Sequence, residues 1–205
     1  MTHPKGYTVY MVEDDPSVRD ALGLLLGLQG YAVAMFGDAE SFLDALKTDW
    51  RGCALVDIRM PGMDGLTLQQ RLRESGCDMP VIVMTGHGDV DSARAAFRSQ
   101  AVDFLEKPIE QARLYAAIEE AFARQAATQE AQVLRSDFAR LLATLTPREK
   151  EVMELVVIGR HNREIAELLG ISARTVEVHK ARMMAKLQVA GVPDLVRMSL
   201  VGRNK

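Results

Sequence analysis

Val56-Asp57-Ile58-Arg59-Met60-Pro61-Gly62-Met63-Asp64-Gly65 sets one acid at the end of an apolar run and follows it with a tight loop marked by Pro-Gly and Asp-Gly. A carboxylate there reads as an exposed nucleophile. Working outward, Glu13 and Asp14 end an earlier apolar run, and Thr85 and Lys107-Pro108 end two later ones. The short apolar runs at 8–12, 32–36, 54–57, 81–85 and 103–107 alternate with amphipathic segments of helical length. Five such strand-then-helix units predict a doubly wound α/β domain, whose parallel sheet gathers its ligand site at the carboxyl ends of the strands. The reactive side chains all fall at those ends, which is the pattern of a phosphate-accepting switch.

Three carboxylates brought together, Glu13, Asp14 and Asp57, repel one another, and a hard divalent cation with oxygen ligands relieves that repulsion. Mg²⁺ is the expected ion. It would neutralise an incoming phosphoryl group while the Asp57 carboxylate attacks phosphorus. Lys107 is expected to pair with one phosphoryl oxygen, and the Thr85 hydroxyl to donate to another and so sense the phosphate. Asp15 belongs to the same acidic run, but Pro16 follows it, so it reads as a helix cap and not as a ligand.

The chain of 205 residues is long enough for two modest domains, and 48% hydrophobic with 26% charged residues fits a globular chain, not a disordered one. The apolar stretch 21–28 is interrupted by Gly and falls well short of the roughly 20 residues a membrane span needs. Met1-Thr2-His3-Pro4-Lys5 has no signal-peptide character, so a cytoplasmic location without a membrane partner is expected. Cys53 and Cys77 lack metal-ligand spacing and read as reduced, structural thiols.

The net charge of −3 conceals two opposite halves. Residues 1–124 carry 12 Lys+Arg against 19 Asp+Glu, whereas residues 125–205 carry 13 against 9. From Gly170 onward Arg174, Lys180, Arg182, Lys186, Arg197, Arg203 and Lys205 face only Glu177 and Asp194, a density suited to a polyanion such as DNA.

No Gly or Pro interrupts 109–145, so a long helix leaving the first domain is predicted. Its middle, 123–132, lacks a large apolar stripe and reads as a semi-rigid spacer or a weak pairing surface for a second copy. Thr146-Pro147-Arg148-Glu149 then has the form of a capping box, Asn162 is expected to cap the next helix, Gly170 to stop it, and Ser172 to cap another. Helix, tight turn, helix is a helix-turn-helix. The predicted organisation is therefore residues 1–124 as the α/β domain, 125–142 as a helical linker and 143–205 as an all-α DNA-binding domain.

Within 173–187, Val176, Met183 and Leu187 recur at helical spacing and should face a core. The opposite side carries Arg174, Glu177, Val178, Ala181 and Arg182, as a recognition helix in a major groove requires; Thr175 is counted with this set. Lys180 and Lys186 flank the face and are expected on phosphates, while His179 reads as a partly buried, satisfied side chain. Glu177 is either an acceptor for a cytosine amino group or a plain surface acid.

Glu13-Asp14, the run from Asp57 to Gly65, Thr85-Gly86-His87-Gly88-Asp89 and Lys107-Pro108 resemble the motifs of a two-component receiver domain, over about residues 7–120. Leu145-Thr146-Pro147-Arg148-Glu149, Asn162-Arg163-Glu164-Ile165-Ala166 and Ile171-Ser172-Ala173-Arg174-Thr175-Val176-Glu177-Val178-His179 resemble a LuxR-type helix-turn-helix. The whole chain thus resembles a NarL/FixJ family response regulator. The resemblance implies a flavodoxin-like (βα)5 receiver, a sensor histidine kinase as phosphodonor, and phosphorylation of Asp57. It also implies Mg²⁺ held partly by the Arg59 backbone carbonyl, sequence-specific binding of double-stranded promoter DNA as a homodimer, and RNA polymerase as a candidate partner. Such a regulator is not an enzyme. Glu13 stands where many members have Asp, which lengthens the reach by one methylene and keeps the charge. Phe104 occupies the position of an aromatic switch residue that responds to Thr85, though a plain core ring is the competing reading. His87 and Arg59 either tune hydrolysis of the phosphoaspartate or are solvated loop residues. Two rival functions remain: a regulator that dimerises constitutively through the linker helix, and an aspartate-nucleophile phosphohydrolase. Such hydrolases commonly place a second acid two residues after the nucleophile, where this chain has Arg59, which cannot serve as general acid.

Overall fold

The structure is a computed structural model that describes residues 6–86 and 101–203. Its strands are β1 (Thr8–Val12), β2 (Ala32–Phe36), β3 (Gly52–Asp57), β4 (Val81–Thr85) and β5 (Asp103–Glu106). Among the described residues the helices are α1 (Pro16–Leu28), α2 (Ala39–Ala45), α3 (Gly65–Glu74), α4 (Gln111–Ala143), α5 (Pro147–Val157), α6 (Asn162–Leu169), α7 (Ala173–Leu187) and α8 (Val192–Arg203). Two compact units divide between Thr128 and Gln129.

In the first unit all strand pairings are parallel, in the order β2-β1-β3-β4-β5. This is the doubly wound, flavodoxin-like order, in which the chain reverses its direction of travel between β1 and β3. Period-two alternation sorts the strand side chains onto two buried faces. Val9, Met11, Cys53, Leu55, Ile82, Met84 and Leu105 pack with Leu26 of α1 and with Leu114, Ile118 and Phe122 of α4. Tyr10, Val12, Ala54, Val56, Val81 and Val83 pack with Phe42 of α2 and with Leu68 and Leu72 of α3. Because both faces are covered, β3 and β4 are buried from end to end.

Two glycines permit close approaches that set the ends of β3. A Cβ on Gly52, at φ +134°, would meet the Thr8 carbonyl oxygen at 1.7 Å, and one on Gly65 would meet the Asp57 carbonyl oxygen at 2.3 Å. The Gly52 N–H donates to the buried Gln125 side chain of α4. β3 therefore begins two residues earlier than the apolar run indicated, because a cross-element amide acceptor keeps Gly52 in register opposite Thr8.

The long helix runs over Gln111–Ala143, two residues inside the expected limits at each end. In the second unit α5 opens with the anticipated capping box, Thr146 and Glu149 bonding reciprocally. One expected cap is shifted. His161, not Asn162, is the N-cap of α6, because Glu164 at N3 reaches back to the His161 N–H at 2.8 Å and makes Asn162 the first helical residue. Gly170 ends α6 in the left-handed region, φ 64°, and Ser172 caps α7. Arg148 donates to the Leu169 carbonyl, which ties this turn to α5. Phe138, Leu145, Val152, Ile165, Val176, Met183, Leu187 and Leu195 form the second core.

Candidate functional site

Glu13 follows β1 directly, Asp57 ends β3, Thr85 ends β4 and Lys107 follows β5, so the twist and register of one sheet deliver four side chains to its carboxyl edge. The position is the switch point between β1 and β3. Glu13 is 1% exposed, Asp57 5% and Thr85 2%. One carboxylate oxygen each from Glu13, Asp14 and Asp57 lies within 4.8 Å of the others.

Lys107 Nζ bridges the acids, 2.7 Å from Glu13 Oε2 and 2.8 Å from Asp57 Oδ1. The other oxygen of Asp57, Oδ2, accepts from the Arg59 backbone N–H at 3.0 Å. Burial raises the Glu13 carboxyl above its ordinary range; Lys107 offsets part of that, and the Asp57 charge adds to it. Burial alone would lower the Lys107 pKa, but the bonds to Asp57 and Glu13 outweigh it and raise the value, so this side chain stays an ammonium at neutral pH. Three acids against one ammonium leave an excess of negative charge on an all-oxygen donor set. That set fits a hard divalent cation such as Mg²⁺.

The Thr85 hydroxyl donates to the Gly86 carbonyl at 3.2 Å, and the Thr85 carbonyl accepts from the Lys107 N–H at 2.7 Å. Phe104 lies opposite Val83 and packs, partly buried, on the core face lined by α2 and α3. His87, Gly88, Asp89 and the helix expected after β4 lie outside the described residues. Asp15 caps α1, accepting from Ser17 N–H at 2.8 Å with Pro16 in the first turn, as its context predicted.

Sequence reasoning overlooked Arg19. Its Nη1 donates to the Glu13 carbonyl at 2.7 Å and to the Asp14 carbonyl at 3.4 Å, holding the backbone of the two acids from one turn inside α1. The available signal was its i+4 spacing from the Asp15 cap, which turns it back over the preceding loop.

In the second unit α7 buries Val176, Met183 and Leu187 and exposes Arg174, Glu177, Val178, Ala181 and Arg182 along one outward face. Val178 keeps 43% of its surface in water, an open apolar side chain between charged neighbours. Lys180 and His179 are half-buried at the flank, and the Thr175 hydroxyl lies 2.8 Å from Ser172 Oγ as part of the cap. Lys186, expected on a phosphate, instead bonds Glu149 Oε2 at 2.6 Å and the Thr144 carbonyl at 3.2 Å.

A receiver-type acid cluster on a doubly wound sheet, followed in the same chain by a helix-turn-helix, defines a response regulator of two-component signalling. Comparison with known proteins agrees. Residues 9–119 match the response regulator receiver domain family, and residues 143–199 match the bacterial regulatory proteins of the luxR family. The transcriptional regulatory protein FixJ of Bradyrhizobium diazoefficiens is 42% identical over 96% of this chain and 95% of its own length. FixJ of Azorhizobium caulinodans is 44% identical over 97% and 94%. Among solved structures, the response regulator StyR superposes with a TM-score of 0.81 at 36% identity, covering 95% of this chain and 98% of StyR. Full-length FixJ from B. japonicum gives 0.59 at 40% identity over 98% of both chains. The chain belongs to the response regulators that join a receiver domain to a LuxR-type DNA-binding domain, and is a FixJ-like transcription regulator. Such a chain implies a sensor kinase and DNA as partners. No helix among the described residues is long and apolar enough to cross a membrane.

Proposed function

We propose that Asp57 is the phosphoacceptor of this regulator and that its acyl phosphate promotes dimerisation and promoter binding. The bridging of Glu13 and Asp57 by the Lys107 ammonium carries this reading, because it places a fixed positive charge beside the only acid at the end of β3. An Asp57 oxygen attacks the phosphorus of a phosphohistidine on a sensor kinase; the new O–P bond forms as the P–N bond breaks, and its electron pair leaves with the imidazole. Glu13, Asp14, Asp57 and the Arg59 backbone carbonyl would hold Mg²⁺, which when bound supplies positive charge opposite the phosphoryl oxygens. Lys107 transfers its bond from a carboxylate to a phosphoryl oxygen. Thr85 turns its hydroxyl from the Gly86 carbonyl toward the phosphate, and Phe104 follows as the switch ring.

The functional division we adopt is a receiver over residues 1–124, a helical linker over 125–142 and a DNA-binding domain over 143–205. Arg174, Glu177, Val178, Ala181 and Arg182, with Thr175 counted among them, make up the reading face toward base edges, and Lys180 lies toward phosphates. The regulator works in the cytoplasm on double-stranded promoter DNA, with RNA polymerase as a further partner, and has no turnover of its own.

The test is to incubate the full chain with a small acyl-phosphate donor and Mg²⁺, map the modified peptide, and follow sizing and promoter affinity. The expected result is an acyl phosphate on Asp57, absent in Asp57→Asn, with a shift to dimer and tighter DNA binding. An unmodified Asp57 under donor excess defeats the reading. Val133 and Leu134 of α4, 60% and 54% exposed, favour a second reading in which the linker helix dimerises without phosphate. Full promoter affinity in Asp57→Asn selects that second reading.

A further inference from the structure

The Glu149–Lys186 ion pair joins three helices and lies neither in the helix-turn-helix turn nor on the outward face of α7. Glu149 is 3% exposed at the third position of α5. Its Oε2 accepts from the Thr146 N–H at 2.9 Å and from Lys186 Nζ at 2.6 Å. The same ammonium donates to the carbonyl of Thr144, the residue directly after α4. Lys186 sits in the last turn of α7, where a positive charge also suits the helix dipole. Its bond to Glu149 holds that carboxyl down to about 2, with the Thr146 N–H adding to the effect. One side chain thus connects the end of α4, the start of α5 and the end of the recognition helix. Ser172 fixes the other end of α7.

We propose that Glu149 and Lys186 are positioning residues for DNA readout: their pair sets the angle at which α7 presents its outward face, and couples that angle to the end of the linker helix. Lys186 acts through Glu149 and not on a phosphate. The inference rests on the assignment of that face to DNA, and makes a prediction opposite to the one expected of a phosphate-contacting lysine. A lysine that neutralises a phosphate contributes about one unit to the salt dependence of binding and little to sequence preference. A lysine that orients the reading helix contributes to sequence preference and nothing to the salt slope.

The experiment compares wild type, Glu149→Gln, Lys186→Met and the double variant as full chains, with a duplex that the wild type selects from a random library and with sheared genomic DNA. Gln at the third helical position keeps the capping box, so Glu149→Gln removes the charge and leaves the helix start in place. Thermal midpoints and helix content report folding. The expected result is that each single variant loses about tenfold of its preference for the selected duplex, that the double variant loses no more, and that the salt slope is unchanged. Two outcomes overturn the proposal. One is Glu149→Gln binding as well as or better than wild type while Lys186→Met lowers the salt slope by about one. The other is an equal loss on both DNAs that tracks the loss of helix content, which makes the pair a folding element alone. A wild-type chain that selects no duplex overturns the DNA-facing assignment itself, and the proposal with it.

Discussion

The acid edge of the receiver and the outward face of the recognition helix are wired in opposite ways. In the first, Glu13, Asp57, Thr85 and Lys107 are buried or half-buried and bonded to one another or to nearby backbone. On the second, Arg174, Glu177 and Arg182 are exposed and, among the described residues, make no ion pair. Under the proposed function, group transfer depends on charge held in place before the reaction, and the first set carries internal partners that a phosphoryl group would replace. Duplex reading, the role proposed for the second set, depends on charge left for phosphates and base edges to partner. Lys186 stands between these regimes: it lies on α7 but is wired as the receiver residues are.

Perturbing the packed side should cost far more stability than perturbing the open side. Gly65→Val places a side chain where even a Cβ would meet the Asp57 carbonyl at 2.3 Å, and should destabilise the receiver by on the order of 3 kcal/mol in urea unfolding. Lys107→Met leaves the Glu13 and Asp57 carboxylates facing each other without the ammonium. The expected loss is about 2 kcal/mol at neutral pH, below the value for a fully buried pair because Lys107 is partly exposed. Its sign with pH follows from Glu13, whose carboxyl already lies above its ordinary range and rises further without Lys107. The folded state then holds a proton that the unfolded state releases, so the variant, measured with chelator present, is more stable at pH 5 than at pH 8. A pH-independent variant contradicts the coupled-acid picture.

Lys180→Ala tests the open side. Folding should be unaffected, binding should weaken a few-fold on every sequence, and the salt slope should fall by about one. A loss confined to one sequence would make Lys180 a base reader instead. A smaller stability effect than those at Gly65 and Lys107 belongs to Glu149, whose carboxyl is held at about 2 by Lys186 and the Thr146 N–H. A depressed carboxyl stabilises above its unfolded pKa of about 4.3 and loses that contribution as pH falls toward the folded value. Acid unfolding of the second unit between about pH 4.5 and 2 should therefore be shallower in Glu149→Gln than in wild type. Superimposable acid limbs would remove the pair from the stability account.

The elements legible in the chain were those with local causes. Short apolar runs located the five described strands within two residues, and the Asp15-Pro16 and Thr146-Pro147 starts are legible from side chains that bond within their own turn. The acids and Lys107 were legible because each ends a strand of a parallel sheet, and parallel sheets have one functional edge. Arg19 was overlooked because its partners are backbone carbonyls, which leave no trace in residue identity. The cap of α6 falls one residue before Asn162 because the deciding bond comes from Glu164, which reaches the His161 N–H. The bond of Lys186 to Glu149 was not legible, because a basic residue beside a reading face usually serves a phosphate and this partner lies 37 positions away.

Residue order alone was enough to specify strands, the caps at Asp15, Thr146 and Ser172, the Asp57 loop and the basic second half, since each follows from interactions within a few residues or from composition. Which lysine is consumed internally, how Gly52 and Gln125 join β3 to α4, and what holds the Glu13-Asp14 backbone in place emerged from the folded chain. Those contacts join segments distant in sequence, and a charged side chain takes whichever partner three-dimensional packing brings within reach. The chain's chemistry lists the candidates; burial and distance select among them.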